Sequence, residues 1–213
     1  MYTICWSVKG GSGTTVVASS LAAVSARSTG SALIVYLGGD IPATLGIAEP
    51  AGPGVADWLN AGAETPPDAL PFLMSDAGDS MRVLHRGTGT IEESERLAQL
   101  ADYLAGQSTF TVIDSGVGLP ASSLREHALH SFLVIRPCYL ALRRATSVAK
   151  NADGVILLTE PGRALTRRDV ESVLQVSVVA EIPVDPAVAR AVDAGLLASR
   201  LPTAISSRLS AVA

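Results

Sequence analysis

The chain has 213 residues, of which 48% are hydrophobic and 17% are charged, and its formal net charge is −4. A chain of this length can bury a substantial core, and we expect residues 1–213 to form one α/β domain. The negative net charge excludes a general attraction to nucleic acid or to acidic membranes. The basic pairs Arg143-Arg144 and Arg167-Arg168 are therefore expected to be solvated helix faces.

The cysteines and the hydropathy pattern favour a cytoplasmic protein that is not inserted in a membrane. Cys5 and Cys138 belong to no Cys-x-x-Cys or Cys/His cluster, which argues against a metal site and favours reduced thiols in the cytoplasm. The start of the chain lacks the basic and apolar regions of a signal peptide. No segment approaches the roughly 20 apolar residues that span a bilayer, so stable membrane insertion is not expected.

Apolar runs typical of buried strands alternate with segments of helical periodicity in the first half of the chain. In chain order, the predicted elements are strand 2–8, helix 14–28, strand 32–37, loop 38–54, helix 55–62, a turn-rich stretch 64–79 with a helical piece around 68–74, and strand 81–87. The helix at 91–106 has the clearest amphipathic pattern, with acidic residues in its first turn and Gly106 at its end.

The same alternation continues to the end of the chain. In chain order, the predicted elements are strand 108–116, helix 121–128, strand 131–137, helix 139–149, strand 154–160, helix 166–174, strand 176–183, helix 186–194 and helix 202–212. Strands that alternate with helices imply right-handed crossovers and a mainly parallel sheet. We therefore predict a three-layer, Rossmann-like α/β sandwich with helices on both faces of the sheet.

The first predicted strand leads directly into a glycine-rich segment, Lys9-Gly-Gly-Ser-Gly-Thr-Thr15, and then into a helix. We call residues 9–15 the phosphate loop. Glycines allow successive backbone N–H groups to point inward, and the helix N-terminus adds a partial positive charge. Such a nest suits a phosphate group. An ordinary glycine-rich turn is the alternative interpretation of the Gly-Gly-Ser-Gly pattern alone.

The sequence KGGSGTTVVASSLA resembles the deviant Walker A motif of the ParA/MinD family, in which Lys-Gly-Gly-x-Gly-Lys-Thr-Thr precedes a helix of small residues. The resemblance implies a P-loop NTPase fold that binds ATP or ADP with Mg²⁺. The implied nucleotide-binding residues are Lys9, Gly10, Gly11, Ser12, Gly13, Thr14 and Thr15. Lys9 matches the signature lysine that reaches the partner's nucleotide in the family's dimer. Thr14 stands where the family has its phosphate-binding lysine.

Loss of that lysine removes a charged hydrogen bond to phosphate, which is worth about 1.5–3 kcal/mol. Nucleotide binding should weaken about ten- to a hundredfold. The resemblance assigns Thr15 and Asp114, the latter at the end of the TFTVID strand, to the magnesium ion. The family's second strand ends in an Asp-x-Asp switch, but here it ends in Tyr36-Leu37-Gly38. Asp40 is the nearest carboxylate and either replaces the catalytic acid or is a turn residue before Pro42.

The resemblance extends to the end of the chain. Residues 178–196 look like the family's late strand, its Pro-x-Asp turn and the helix that flanks the adenine. A base-contacting asparagine is not evident near 154–160. Residues 37–59 and 135–145 are most similar to actinobacterial CpaE/TadZ-like proteins of Tad (type IVb) pilus systems.

These features leave several functions open. One is a pseudo-ATPase of the ParA/MinD type, which dimerises and recruits a pilus or secretion apparatus. It would lie in the cytoplasm, and a partner would recruit it to the membrane or pole. Another is a weak ATPase for chromosome or cargo partitioning, in which Lys9 supplies the missing charge and Asp40 or Asp114 orients water. An iron–sulfur reductase of the same superfamily is disfavoured, because a shared cluster needs two suitably placed loop cysteines per subunit.

Overall fold

The computed structural model describes residues 1–62 and 65–213, and its centre is one twisted sheet of eight strands. The strands are β1 (Tyr2–Ser7), β2 (Ala32–Tyr36), β3 (Met74–Gly78), β4 (Met81–Leu84), β5 (Phe110–Val117), β6 (His130–Ile135), β7 (Gly154–Thr159) and β8 (Val178–Pro183). Their order is β3-β4-β2-β5-β1-β6-β7-β8. The β3–β4 pair is antiparallel and every other pair is parallel, which confirms the predicted α/β architecture.

Helices cover both faces of this sheet. They are α1 (Thr14–Thr29), α2 (Ile41–Leu45), α3 (Val55–Asn60), α4 (Glu95–Ala105), α5 (Ser122–Glu126), α6 (Tyr139–Ala145), α7 (Arg167–Leu174), α8 (Pro186–Asp193) and α9 (Thr203–Leu209). Two 3₁₀ helices lie at Pro67–Leu73 and Ala149–Asn151. Among the helices of residues 1–62 and 65–213, none combines the length and the apolar character that crossing a membrane requires.

Two short elements depart from the predicted ones. The predicted loop 38–54 contains α2, which Asp40 caps at its start and Gly46 ends in a left-handed conformation. The turn-rich stretch 64–79, whose first residue lies outside the described residues, contains β3. This strand has no alternating apolar pattern because it is the antiparallel edge of the sheet and has one neighbour only among the described strands.

Alternating side chains divide the interior into two cores. In β1, Tyr2, Ile4 and Trp6 face the core beneath α3 to α7, whereas Cys5 faces the core beneath α1, α2, α8 and α9. All four residues are fully buried. Both faces of the strand are therefore buried, as expected for a central parallel strand.

The predicted amphipathic helix α4 packs through a completely buried face that contains Leu97, Leu100 and Leu104. We expect Leu100→Ala to lower the free energy of unfolding by about 2–5 kcal/mol, because it removes buried methyl groups and leaves a cavity. Urea unfolding measures this change. Gln99→Ala on the same helix is the control, with an expected change below about 1 kcal/mol. Equal changes in the two variants would contradict the packing described here.

The sheet topology determines where the phosphate loop lies. β1 pairs with β5 on one side and β6 on the other, so the loop that follows β1 emerges between these two strands. Because β2, β5, β1, β6, β7 and β8 run parallel, their carboxyl ends meet at the same edge. Ligands of open α/β sheets bind at this edge.

Candidate nucleotide-binding site

The phosphate loop joins β1 to the N-terminus of α1. Gly13 precedes this helix with a φ of 86°, a left-handed conformation that glycine adopts without strain. An added Cβ there would lie 2.6 Å from Leu158 Cδ2, so a side chain at this position would have to displace the Leu158 side chain. In the part of the chain that the structure describes, no side chain caps α1 and no acidic residue occupies its first turn. The helix N-terminus is thus available to an anion.

Hydrogen bonds within the loop fix its shape. Ser12 Oγ donates to the Lys9 carbonyl oxygen at 2.7 Å, and Ser7 Oγ donates to the Gly116 carbonyl oxygen at 3.3 Å. Lys9 Nζ donates to the Gly10 carbonyl oxygen at 2.9 Å. Thr14 is buried, and it lines the cavity above the loop. The only ammonium group carried by the phosphate loop therefore lies against the loop's own backbone.

Asp114 and Thr15 lie together where the sequence predicts a magnesium site. Asp114 is fully buried, and its Oδ1 accepts a hydrogen bond from Gly116 N at 3.0 Å. Its Oδ2 has no hydrogen-bond partner among the described residues. Burial raises the pKa of this carboxyl to about 6, while the neighbouring Thr15 hydroxyl and Gly116 N–H oppose the rise. The Thr15 hydroxyl lies beside Oδ2 without completing a hydrogen bond to it.

These oxygens fit a divalent cation. Mg²⁺ is commonly held by one or two protein oxygens together with phosphate oxygens and water. An added Cβ at Gly39 would collide with both Thr15 Oγ1 and Asp114 Oδ2, so both oxygens border the space above Gly39. Sequence reasoning missed Gly39, although the Gly-Gly pair after β2 was a signal for close backbone approach.

The end of β2 carries no switch carboxylate. The Leu37 and Gly38 N–H groups donate to the Asp114 carbonyl oxygen at 2.8 and 3.2 Å, and the Arg86 guanidinium donates to the Leu37 carbonyl oxygen. Asp40 is exposed, and its Oδ1 accepts from Ala43 N at 3.2 Å as the cap of α2. Asp40 therefore caps a helix in this structure. It lines a cavity separate from the one over the phosphate loop, and Gly39 lines both cavities.

Two adjoining cavities form the site. A cavity of about 350 Å³ lies over the phosphate loop and extends to Gly39, Gly116 and Val117. A second cavity of about 290 Å³, here the side cavity, shares Gly11 and Gly13 with the first. Its other walls come mainly from apolar residues of β7, β8 and α8, and these include Leu158, Ile182, Val184, Val188 and Val192. Its position and its apolar walls suit a ring system.

One charged side chain of the side cavity was also missed. Arg136 follows β6 at the carboxyl edge and forms an ion pair with Glu160, which also binds Arg163 at 2.6 Å. A charged residue that directly ends an apolar strand was the available signal. Of the predicted basic pairs, Arg143 and Arg144 are exposed on α6, and Arg167 is paired with Glu171 and Glu181.

Neither cysteine belongs to a cluster of metal-binding side chains in the described part of the chain. Cys5 is buried beside Asp114 in the β1–β5 ladder, and burial raises the pKa of its thiol. Cys138 Sγ accepts from Ala141 N at 3.4 Å and caps α6. Residues 1–62 and 65–213 hold no group of three or more His, Cys, Asp or Glu side chains that could bind a metal ion.

Comparisons with known proteins identify solved structures that have a similar fold. No protein-family model matches the chain, and no curated protein matches it. A ParA family ATPase from Chlorobium tepidum TLS is similar in structure, with a TM-score of 0.80, 21% identity, and coverage of 99% of this chain and 98% of that one. MinD complexed with Mg-ADP from Pyrococcus horikoshii OT3 has a TM-score of 0.73, 21% identity, and coverage of 99% and 93%.

A third similar structure contains a partner protein. The MinC:MinD cell division protein complex of Aquifex aeolicus includes a chain that matches with a TM-score of 0.75, 16% identity, and coverage of 100% of this chain and 94% of that one. At such identities the likeness concerns the fold. The chain therefore has the P-loop NTPase fold seen in ParA and MinD, an eight-stranded and mainly parallel sheet with a phosphate loop after its first strand.

Proposed function

We propose that this protein is a degenerate nucleotide-binding member of the ParA/MinD family that acts as a positioning or assembly factor. The observation that carries the proposal is the unpartnered Asp114 Oδ2, which lies with Thr15 Oγ1 beside Gly39 at the edge of the cavity over the uncapped phosphate loop. A buried carboxylate oxygen without a partner is costly, and a cation held by a bound phosphate would compensate it. ATP or ADP with Mg²⁺ is the ligand that matches these groups.

Hydrolysis is expected to be weak or absent. Thr14 cannot supply the charge that stabilises a phosphoryl group in transfer, and Tyr36 and Gly38 stand where the two switch acids are expected. Asp40 is engaged as the cap of α2. In this proposal, the fold is retained for dimerisation and recruitment, and bound nucleotide stabilises the recruiting form.

The proposed partners follow from the resemblance and from the neighbours. The Aquifex aeolicus MinD chain is found with MinC, which supports a role in which this chain also binds a second protein. We propose a homodimer that serves a Tad pilus or secretion system, on the basis of residues 37–59 and 135–145. A cytoplasmic location with recruitment to the membrane or pole by that partner completes the proposal.

A weakly active ATPase for chromosome or cargo partitioning is the second candidate. Lys9 favours it, because its ammonium group already lies on the phosphate loop at Gly10. Rotation of this flexible side chain toward a bound phosphate would restore one positive charge at the loop. In that case, turnover would depend on Lys9.

Wild type, Lys9→Ala and Thr14→Lys separate the two candidates. We expect Thr14→Lys to tighten Mg-ATP binding about ten- to a hundredfold, because it restores a charged hydrogen bond to phosphate. Fluorescent ATP binding and phosphate release measure affinity and turnover. Wild-type hydrolysis that is lost in Lys9→Ala would contradict the inactive form of the proposal. Binding by Thr14→Lys alone would contradict the weak ATPase.

A further inference from the structure

Arg136 brings a positive charge to the wall of the nucleotide-binding site. It follows the last residue of β6, and its side chain lines the side cavity together with Gly11 and Gly13 of the phosphate loop. The Arg136 side chain is 38% exposed, and it borders the cavity. The loop itself has lost its phosphate-binding lysine at position 14, so Arg136 is a cation on this wall that could take its place.

The carboxylate of Glu160 is shared between Arg136 and a second arginine. Glu160 is the single acidic partner of two guanidinium groups, those of Arg136 and Arg163. Hydrogen bonding from Arg163 and the charges of both arginines lower the pKa of Glu160, so its carboxylate stays ionised. These three side chains together carry one net positive charge. Two carboxylates, Asp185 and Asp193, also line the side cavity, and Asp185 Oδ1 accepts a hydrogen bond from Ala187 N at 2.6 Å.

Arg136 also has hydrogen-bonding capacity to spare. A guanidinium offers five N–H donors in a planar fork. Within the described residues, Arg136 pairs through Nη2 with Glu160, and its Nε is buried without a partner. Glu160 thus holds one side of the group and orients it, while other donors stay unused. An arginine fork matches the oxygens of a phosphate group.

We propose that Arg136 binds the phosphate groups of a nucleoside di- or triphosphate and replaces the missing lysine of the phosphate loop. This inference rests on the proposed nucleotide-binding function and deepens it. Arg136 is then a binding residue supplied by β6, and Glu160 is the positioning residue that holds its guanidinium beside the loop. The competing interpretation is an ion pair that only stabilises the fold.

Calorimetric titration with Mg-ADP tests the assignment. We expect Arg136→Gln to raise the Kd about ten- to a hundredfold, because one charged hydrogen bond to phosphate is lost. Arg163→Gln is the matched control: it breaks the other ion pair of Glu160, outside the cavity, and should change the Kd less than about threefold. Adding Thr14→Lys to the Arg136→Gln variant should lower its Kd for Mg-ADP at least about tenfold.

Inorganic pyrophosphate shows whether the recognised group is phosphate. It should bind less tightly to Arg136→Gln by a similar factor. Arg136→Lys keeps the charge but lacks the planar fork, so it should lose less binding than Arg136→Gln, and it serves if that variant fails to fold. Equal losses in Arg136→Lys and Arg136→Gln would overturn the inference. Equal Kd values for wild type, Arg136→Gln and Arg163→Gln would overturn it while leaving the nucleotide site in place. Absence of Mg-ADP binding in both wild type and Thr14→Lys would instead overturn the proposed function.

Discussion

Asp114→Asn is expected to raise the free energy of unfolding by about 2–3 kcal/mol at pH 7.5 when no divalent cation or nucleotide is present. Asp114 is fully buried, and burial raises the pKa of its carboxyl from 3.8 to about 6. Each unit of such a shift corresponds to about 1.4 kcal/mol against the ionised form in the folded protein. Asparagine is uncharged and similar in shape, and its side-chain oxygen can still accept from Gly116 N.

The pH dependence of this effect has a definite sign. Below pH 3.8 the carboxyl is protonated in both the folded and the unfolded chain, so Asp114 contributes no penalty. Between pH 3.8 and about 6 the unfolded chain releases its proton first, and stability falls as the pH rises. Above about pH 6 the loss is constant. The difference between Asp114→Asn and wild type should therefore grow up to pH 6 and then level off.

Urea unfolding from pH 4 to pH 8 measures this difference. Asp40→Asn is the control, because asparagine also caps helices and the side chain is exposed, and it should change stability by less than about 0.5 kcal/mol at each pH. Mg-ADP should stabilise wild type by mass action and should stabilise Asp114→Asn much less. A stability difference that does not vary with pH would mean that the buried carboxylate is compensated without a cation.

Gly39→Ala is expected to abolish Mg²⁺-dependent nucleotide binding and to destabilise the protein. Gly39 has a φ of 84°, so alanine there is strained by about 1–2 kcal/mol. Its Cβ would also collide with Thr15 Oγ1 and Asp114 Oδ2, the two oxygens proposed to hold the cation. At least one of these side chains must move, and Mg-ADP affinity should fall more than about a hundredfold.

Gly52→Ala separates backbone strain from the collision. Gly52 has a φ of 94°, but an added Cβ there would meet nothing within 4 Å. We expect it to lower the free energy of unfolding by a similar strain of about 1–2 kcal/mol and to leave Mg-ADP affinity unchanged. Calorimetric titration measures the Mg-ADP affinity of both variants, and thermal unfolding measures their stability. Equal Mg-ADP affinities in the two variants would refute a cation site above Gly39.

Most of the fold could be predicted from patterns in the sequence. Continuous apolar runs predicted β1 and β2 because both faces of these strands are buried, and the amphipathic period predicted α4 because one of its faces is buried. The phosphate loop was predictable because glycines, a strand and a helix follow one another in the chain. Asp114 was predictable because it follows an apolar run that leads to the same edge of the sheet, although β5 itself continues to Val117.

Other features depend on contacts between distant segments. The edge strand β3 lacks an apolar pattern since it is held by backbone pairing with β4, and α2 has only five residues, so its cap and its terminal glycine resemble turn signals. The pairing of Arg136 with Glu160 joins the ends of two neighbouring strands. Nothing in the local sequence of either strand specifies that these two ends meet beside the phosphate loop.

The central position of β1 has a consequence for how the protein folds. Tyr2 pairs with Thr111, and Thr3 pairs with His130. The first strand therefore pairs with strands that are more than a hundred residues away in the chain. Closing such long loops costs entropy before any pairing is gained, and sheets dominated by distant pairings fold slowly. During synthesis on the ribosome, the strand that leads into the phosphate loop therefore has no pairing partners until β5 and β6 have emerged.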